Sequence, residues 1–203
     1  MIDCCLRPGR PIPPDGALIQ ADASAPPTAS PGAAFLLPLD PLAPDALSQA
    51  RTALAKGAAG LGPFDPTAFS LSDKRFTALA ALCCEANVIL SLHCPPPVLE
   101  PHAPPLNAYL DLARRFPRLR LLLDECGGGL AYYEHMRAVR RVTENVFYGA
   151  WSARPFDLPR VLAGLPPEKV VWGSADEPIP VLSAEQWAVL DANARRLLKG
   201  GCA

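Results

Sequence analysis

Short apolar runs alternate along the chain with longer segments in which apolar residues recur every three or four positions. The runs Ile2–Leu6, Gly16–Asp22, Ala33–Leu39, Ala58–Gly62, Val88–His93, Leu119–Glu125, Asn145–Trp151 and Lys169–Ser174 have the length and flanking turn residues of strands. Helical spacing appears at Leu47, Ala50 and Leu54 behind a capping Asp45, and at Phe76, Leu79, Cys83 and Ala86 behind Ser72-Asp73. It recurs at Leu106, Tyr109, Leu110 and Ala113, and at Leu130, Tyr133, Met136, Val139 and Val142. A short helix is predicted from about Asp157 to Leu165. The last one carries Trp187, Leu190, Ala194 and Leu197 behind a Ser183/Gln186 capping box.

Helices therefore follow strands three to eight, whereas residues 8–15 and 23–32 are too short and too rich in proline to form them. Strand–helix alternation calls for a parallel sheet. The pattern predicts an α/β fold, a small (β/α)8 TIM-like barrel spanning 1–203 as one domain, with helices 1 and 2 replaced by proline-rich loops. An open doubly wound sheet is the competing architecture.

Composition narrows the function. A net charge of −1 and a pI near 6.3 offer no basic face for nucleic acid or an anionic membrane. No apolar run reaches membrane-spanning length, and MIDCCLRPGR lacks the apolar core of a secretion signal. Seven cysteines, some in adjacent pairs, do not form a disulfide framework. Reduced thiols and a cytoplasmic location are expected.

The stretch LLLDECGGG, Leu121–Gly129, has the form of a strand that delivers carboxylates to the mouth of a barrel, followed by a glycine turn. Cys94 and Cys126 each follow a strand-end site residue and by alternation face the core, where Cys83-Cys84 also belongs. His102 in a proline-rich loop and His135 within a helix read as solvated side chains. Tyr148 and Trp151 either line a pocket or pack the barrel, and Asp22 is either a rim group or a turn former.

Six pieces then line up in order: GAAGLGPFDPTAFSLSDKRFTAL, VILSLHC, RRFPRLRLLLDECGGG, ENVFYGAWS, PPEKVVWGSADEP and NARRLL. In this order they resemble the amidohydrolase superfamily, specifically its metal-dependent hydrolases and decarboxylases, over residues 33 to 199. The resemblance implies a divalent metal at the C-terminal mouth of the barrel. Its ligands would be a His-x-His pair ending strand one, histidines ending strands five and six, and an aspartate after strand eight that also serves as base. Matched position by position, Cys5 and Arg7 stand at the paired histidines, His93 is kept, Glu125 replaces the strand-six histidine, and Ala175 takes the aspartate position with Asp176 one residue later.

Two sites fit those residues. Cys5, His93, Glu125 and Asp176 form a mixed donor set for zinc or manganese, with Asp176 or Glu125 as the catalytic base. Alternatively Arg7 replaces the metal, pairs with Glu125 or Asp124, and no metal is bound. The second is favoured, because a cation on Arg7 and a metal compete for the same acids. In either, Arg7 suits the carboxylate of a small-molecule organic acid. The expected activity is that of a hydrolase or decarboxylase acting on a small carboxylate or cyclic ester. A non-catalytic binding or interaction module is the alternative. The wall that two missing helices would leave bare predicts cover by the proline-rich loops or by a second copy of the chain, a homo-oligomer. Light scattering after size exclusion tests this, and a monodisperse monomer with mobile loops would count against it.

Overall fold

The structure is a computed structural model and describes residues 3–6, 17–20, 33–96, 100–150, 162–164, 166–173 and 182–199. Eight strands are present: β1 Asp3–Leu6, β2 Ala17–Gln20, β3 Ala33–Leu37, β4 Gly60–Phe64, β5 Ile89–Leu92, β6 Arg120–Leu123, β7 Val146–Gly149 and β8 Val170–Val171. Each pairs in parallel with the next, so their order in the sheet is their order in the chain. This sequential order is that of a (β/α)8 barrel and overturns the doubly wound alternative, whose strand order reverses at a switch point. The segments in which helices 1 and 2 were expected to be missing lie outside the described residues.

Five helices are labelled here: α1 Ala46–Ala55, α2 Lys74–Glu85, α3 Leu106–Arg115, α4 Arg137–Arg140 and α5 Ala184–Lys199. Asp73 caps α2 by accepting from the Arg75 amide at 2.8 Å. At α5 the reciprocal box forms, the Ser183 amide donating to Gln186 Oε1 and the Gln186 amide to Ser183 Oγ. Two expectations need correction. Asp45 makes no side-chain cap on α1; its carboxylate instead accepts from the Gln49 side-chain amide at 2.8 Å. The long helix expected over Leu130–Val142 is replaced by a short 3₁₀ stretch that ends at Tyr133 and by the single turn of α4. The apolar residues there recur every three positions, the 3₁₀ period rather than 3.6, and Tyr133 and Met136 face solvent.

Strand alternation divides the core in two. Leu18, Leu36, Ile89, Leu122, Phe147 and Val171 come from six different strands and cluster on the inner face, joined by Ala194 and Leu197 of α5. Their neighbours Leu90, Leu92, Leu121, Leu123, Val146, Tyr148 and Val170 face outward into the larger cluster with the helices. Gly60 allows β4 to lie tightly against β5, since a Cβ there would sit 2.0 Å from the Ile89 carbonyl oxygen.

Side chains stitch the N-terminal end of the sheet. Asn145 donates to the carbonyls of Phe116 and Leu119 at 2.9 and 2.8 Å, and Asn193 of α5 to that of Val170 at 2.8 Å. Arg120, inward-facing at the start of β6, donates to the carbonyls of Leu197 and Asn87. Beside them Lys169, nearly buried, donates to both oxygens of Glu134 at 2.9 and 3.0 Å and to the Thr143 carbonyl at 2.7 Å. The Tyr148 hydroxyl donates to Glu134 at 2.6 Å, so Tyr148 belongs to this network and lines no pocket at the mouth.

Removing one member of a buried ion pair strands the other charge, whereas removing both does not. Lys169→Met is therefore expected to cost about 3 kcal/mol of unfolding free energy in urea. The double variant Lys169→Met/Glu134→Met should recover most of that loss.

Candidate active site at the mouth of the barrel

β5 and β6 pair with Ile89 opposite Arg120 and Leu92 opposite Leu123. On β5 the inward positions run Ile89, Ser91, His93; on β6 they run Arg120, Leu122, Asp124. His93 and Asp124 thus emerge side by side just past the C-terminal ends of neighbouring strands, where barrels place their chemistry. Asp124 Oδ2 lies 3.0 Å from His93 Nδ1, and its other oxygen accepts the Cys94 amide at 2.6 Å. The Tyr109 hydroxyl of α3 donates to the His93 carbonyl at 3.2 Å. Backbone and ring of His93 are both held, and Nε2 is the nitrogen left facing the mouth, 3.7 Å from Glu100.

The bond to Asp124 raises the pKa of His93 to about 9, against the opposing effect of burial, and the charges of Asp124, Glu125 and Asp65 add to the rise. At neutral pH this ring is an imidazolium. Glu125 lies 4.0 Å from Nδ1 at its nearest oxygen. Burial first, and the neighbouring Asp124 charge second, push its carboxyl above the usual range. Beneath His93 the Ser91 hydroxyl is fully buried and has no hydrogen-bond partner among the described residues. A polar group left open inside the barrel suits a bound water or ligand.

The turn after β6 is unusual. Glu125, Cys126, Gly127, Gly128 and Gly129 have φ values of 47, 55, 67, 60 and 98°, five consecutive residues in left-handed backbone. Non-glycine residues pay about 1–2 kcal/mol each for that conformation. At Gly128 a Cβ would also meet the carbonyl oxygens of Cys94 and Pro95 at 2.8 and 2.7 Å, so this turn is pressed against the end of β5.

Of the residues singled out in the sequence, the structure brings His93 and Glu125 together. Cys5 lies in β1, but its side chain, Arg7 and Asp176 fall outside the described residues, as do Asp22 and Trp151. Asp124 emerges as the partner of His93, where the resemblance had drawn attention to Glu125. Alternation from Leu122 was the signal that pointed to it. Cys94 and Cys126 are buried in the outer cluster, and burial pushes both thiols up to about 12, which favours the protonated form. Cys83 is buried too. His102 and His135 are exposed, the latter with Nδ1 2.7 Å from the Tyr132 carbonyl oxygen. Among the described residues no three His, Cys, Asp or Glu side chains converge to hold a metal ion. His93 and Glu125 by themselves supply too few donors for the family's metal.

The family model for Amidohydrolase matches residues 16–197. No curated protein matches the chain. Several solved structures share the fold. One is a dihydroxybenzoic acid decarboxylase from Polaromonas sp. JS666 with bound manganese and the inhibitor 2-nitroresorcinol, at 16% identity and a TM-score of 0.56 over 83% of this chain and 70% of that one. A 4-oxalomesaconate hydratase from Rhodopseudomonas palustris is 14% identical, with a TM-score of 0.54 over 83% and 66%. A TIM-barrel protein from Bordetella bronchiseptica is 13% identical, with a TM-score of 0.55 over 92% and 78%. Identities this low carry the fold alone, but the family match covers most of the sequence. The chain belongs to the amidohydrolase family.

Proposed function

We propose that this barrel carries out acid–base chemistry, hydrolysis or decarboxylation, on a small organic acid, with His93 as the proton donor and Asp124 as the residue that positions it. The observation that carries this reading is the 3.0 Å contact between His93 Nδ1 and Asp124 at the mouth of the sheet. A carboxylate on Nδ1 fixes the ring and leaves Nε2–H to donate outward, the arrangement of a general acid. A cationic donor of this kind also attracts a substrate carboxylate. In decarboxylation it would supply the proton that replaces the lost CO2 on carbon; in hydrolysis it would protonate the leaving oxygen. Glu125, its carboxyl pushed upward and 4.0 Å from Nδ1, is the group we assign to take up a proton from substrate or water. The manganese in the Polaromonas decarboxylase belongs to that protein. For this chain we favour a site without a metal, in which the permanent cation on Arg7 would take the metal's place beside the acids.

A ring held protonated by its neighbour should titrate late. In proton–nitrogen correlation spectra His93 is expected to titrate near pH 9. Asp124→Asn should lower that value by about one unit or more. A wild-type midpoint near 6.5 would refute the pairing. The stability contribution follows the same sign: a raised folded-state pKa means it is fully present below about pH 6.5 and lost as pH climbs through about 9. Urea midpoints should therefore fall across that window in the wild type and stay flatter in Asp124→Asn.

Activity supplies a separate test. Against a panel of small aromatic and enolisable carboxylic acids, followed by CO2 release or hydrolysis, His93→Gln should lower kcat by about 100-fold or more. Asp124→Asn should lower it less and shift the alkaline limb to lower pH. Turnover should survive chelator. One equivalent of zinc or manganese in protein purified without chelator, lost in both Cys5→Ala and His93→Ala, would overturn the metal-free reading.

A further inference from the structure

The opposite end of the sheet carries a cavity of about 610 Å³, lined by none of the residues of the His93–Asp124 pair. Its floor is the N-terminal entry of β7, Asn145–Phe147, with Lys169 just before β8; its sides are the segment around α4 and the last turns of α5. Five cationic side chains line it: Arg137, Arg140, Arg141, Lys169 and Arg196. Only two carboxylates do so, Glu144 and Glu168. Lys169 is neutralised from behind by the buried Glu134. When these three acids are set against the five cations, two positive charges remain. The whole chain is close to neutral, with a net charge of −1, so this concentration is local.

The cations are arranged rather than scattered. Arg196 lies over the Phe147 ring, 5.3 Å from its centroid, and donates to the Glu168 carbonyl. Arg140 is fixed by Glu168 at 2.9 Å. Arg137 and Arg141 have no acidic partner within ion-pair distance among the described residues. Two anchored guanidiniums thus hold one side of a concave site while two others are open to an incoming acceptor. The volume falls within the range of small-molecule pockets, roughly 300–1,000 Å³, and planar guanidiniums match phosphate and carboxylate oxygens in pairs.

We infer that this cavity binds a small multivalent anion, a phosphorylated or polycarboxylate metabolite, through Arg137 and Arg141 with Arg140 and Arg196 as preset walls. Its position at the N-terminal ends of the strands separates it from the His93–Asp124 pair, so binding here does not depend on the proposed reaction.

Inorganic pyrophosphate titrated calorimetrically into the full chain at low ionic strength tests the site. One saturable equivalent is expected, weakening as salt screens the exposed guanidiniums. Arg137→Ala/Arg141→Ala should weaken it by about tenfold or more, the loss of one to two charged hydrogen bonds. Arg114→Ala removes an arginine from α3, outside this cavity, and should leave binding unchanged. Citrate in place of pyrophosphate distinguishes the two anion sources: binding of both marks charge recognition, and binding of pyrophosphate alone marks phosphate recognition. Heat without saturation, or equal weakening by Arg114→Ala, would overturn the inference. So would a single-stranded oligonucleotide that binds more tightly than pyrophosphate and is lost in the same double variant, since the site would then serve nucleic acid.

Discussion

Asp124 is the hinge of the arrangement at the mouth. One carboxylate takes two donors from the neighbouring strand, the Cys94 amide and the His93 ring, so the end of β6 and the end of β5 are fastened through a single side chain. The glycine turn follows from this. With Asp124 turned inward, the chain must leave the sheet at once, and Gly127 closes the turn by donating its amide to the Asp124 carbonyl at 2.7 Å. The left-handed backbone of Glu125 and Cys126 is the cost of that exit, and Gly128 is what lets the turn rest on the Cys94 and Pro95 carbonyls. The electrostatics depend on it as well, since the cationic state of His93 rests first on this bond.

Much of the fold was legible in the sequence because it is written in local patterns. Seven of the eight strands fall within their apolar runs, β4 overlaps its run but continues two residues past it to Phe64, and the cap at Asp73 and the box at Ser183 form as their spacing predicts. Where the reading failed, the fault lay in period or partner. The residues from Leu130 to Val142 repeat every three positions, which does not keep to one face of a long α-helix, and the segment breaks into a short 3₁₀ stretch and one α-helical turn. Asp45 has a side-chain competitor in Gln49 that no capping rule weighs.

The site was legible in part, and for a similar reason. His93 stands out as the polar end of an apolar strand. Glu125 drew attention because a relative's histidine aligns there, yet the side chain that continues the inner face from Arg120 and Leu122 is Asp124. Contacts between residues far apart in the chain leave no local trace at all. The Lys169–Glu134 pair joins residues 35 positions apart, and Lys169 reads in the sequence as a plain charge at the start of a strand. Asn145 and Asn193, which carry the family resemblance, fasten backbone carbonyls at the N-terminal end of the sheet rather than touching His93.

Those fastenings keep the bonds of the scaffold apart from the residues at its mouth. Asn145, Asn193 and Arg120 tie strand entries and the final helix together far from the mouth, with bonds in which His93 and Glu125 take no part. A lineage can then lose one ligand after another at the catalytic rim while the scaffold keeps its stability and its recognisable sequence. That separation lets a chain keep its family's barrel while its mouth departs from the pattern the resemblance implies, of whose five expected positions only His93 holds the expected residue.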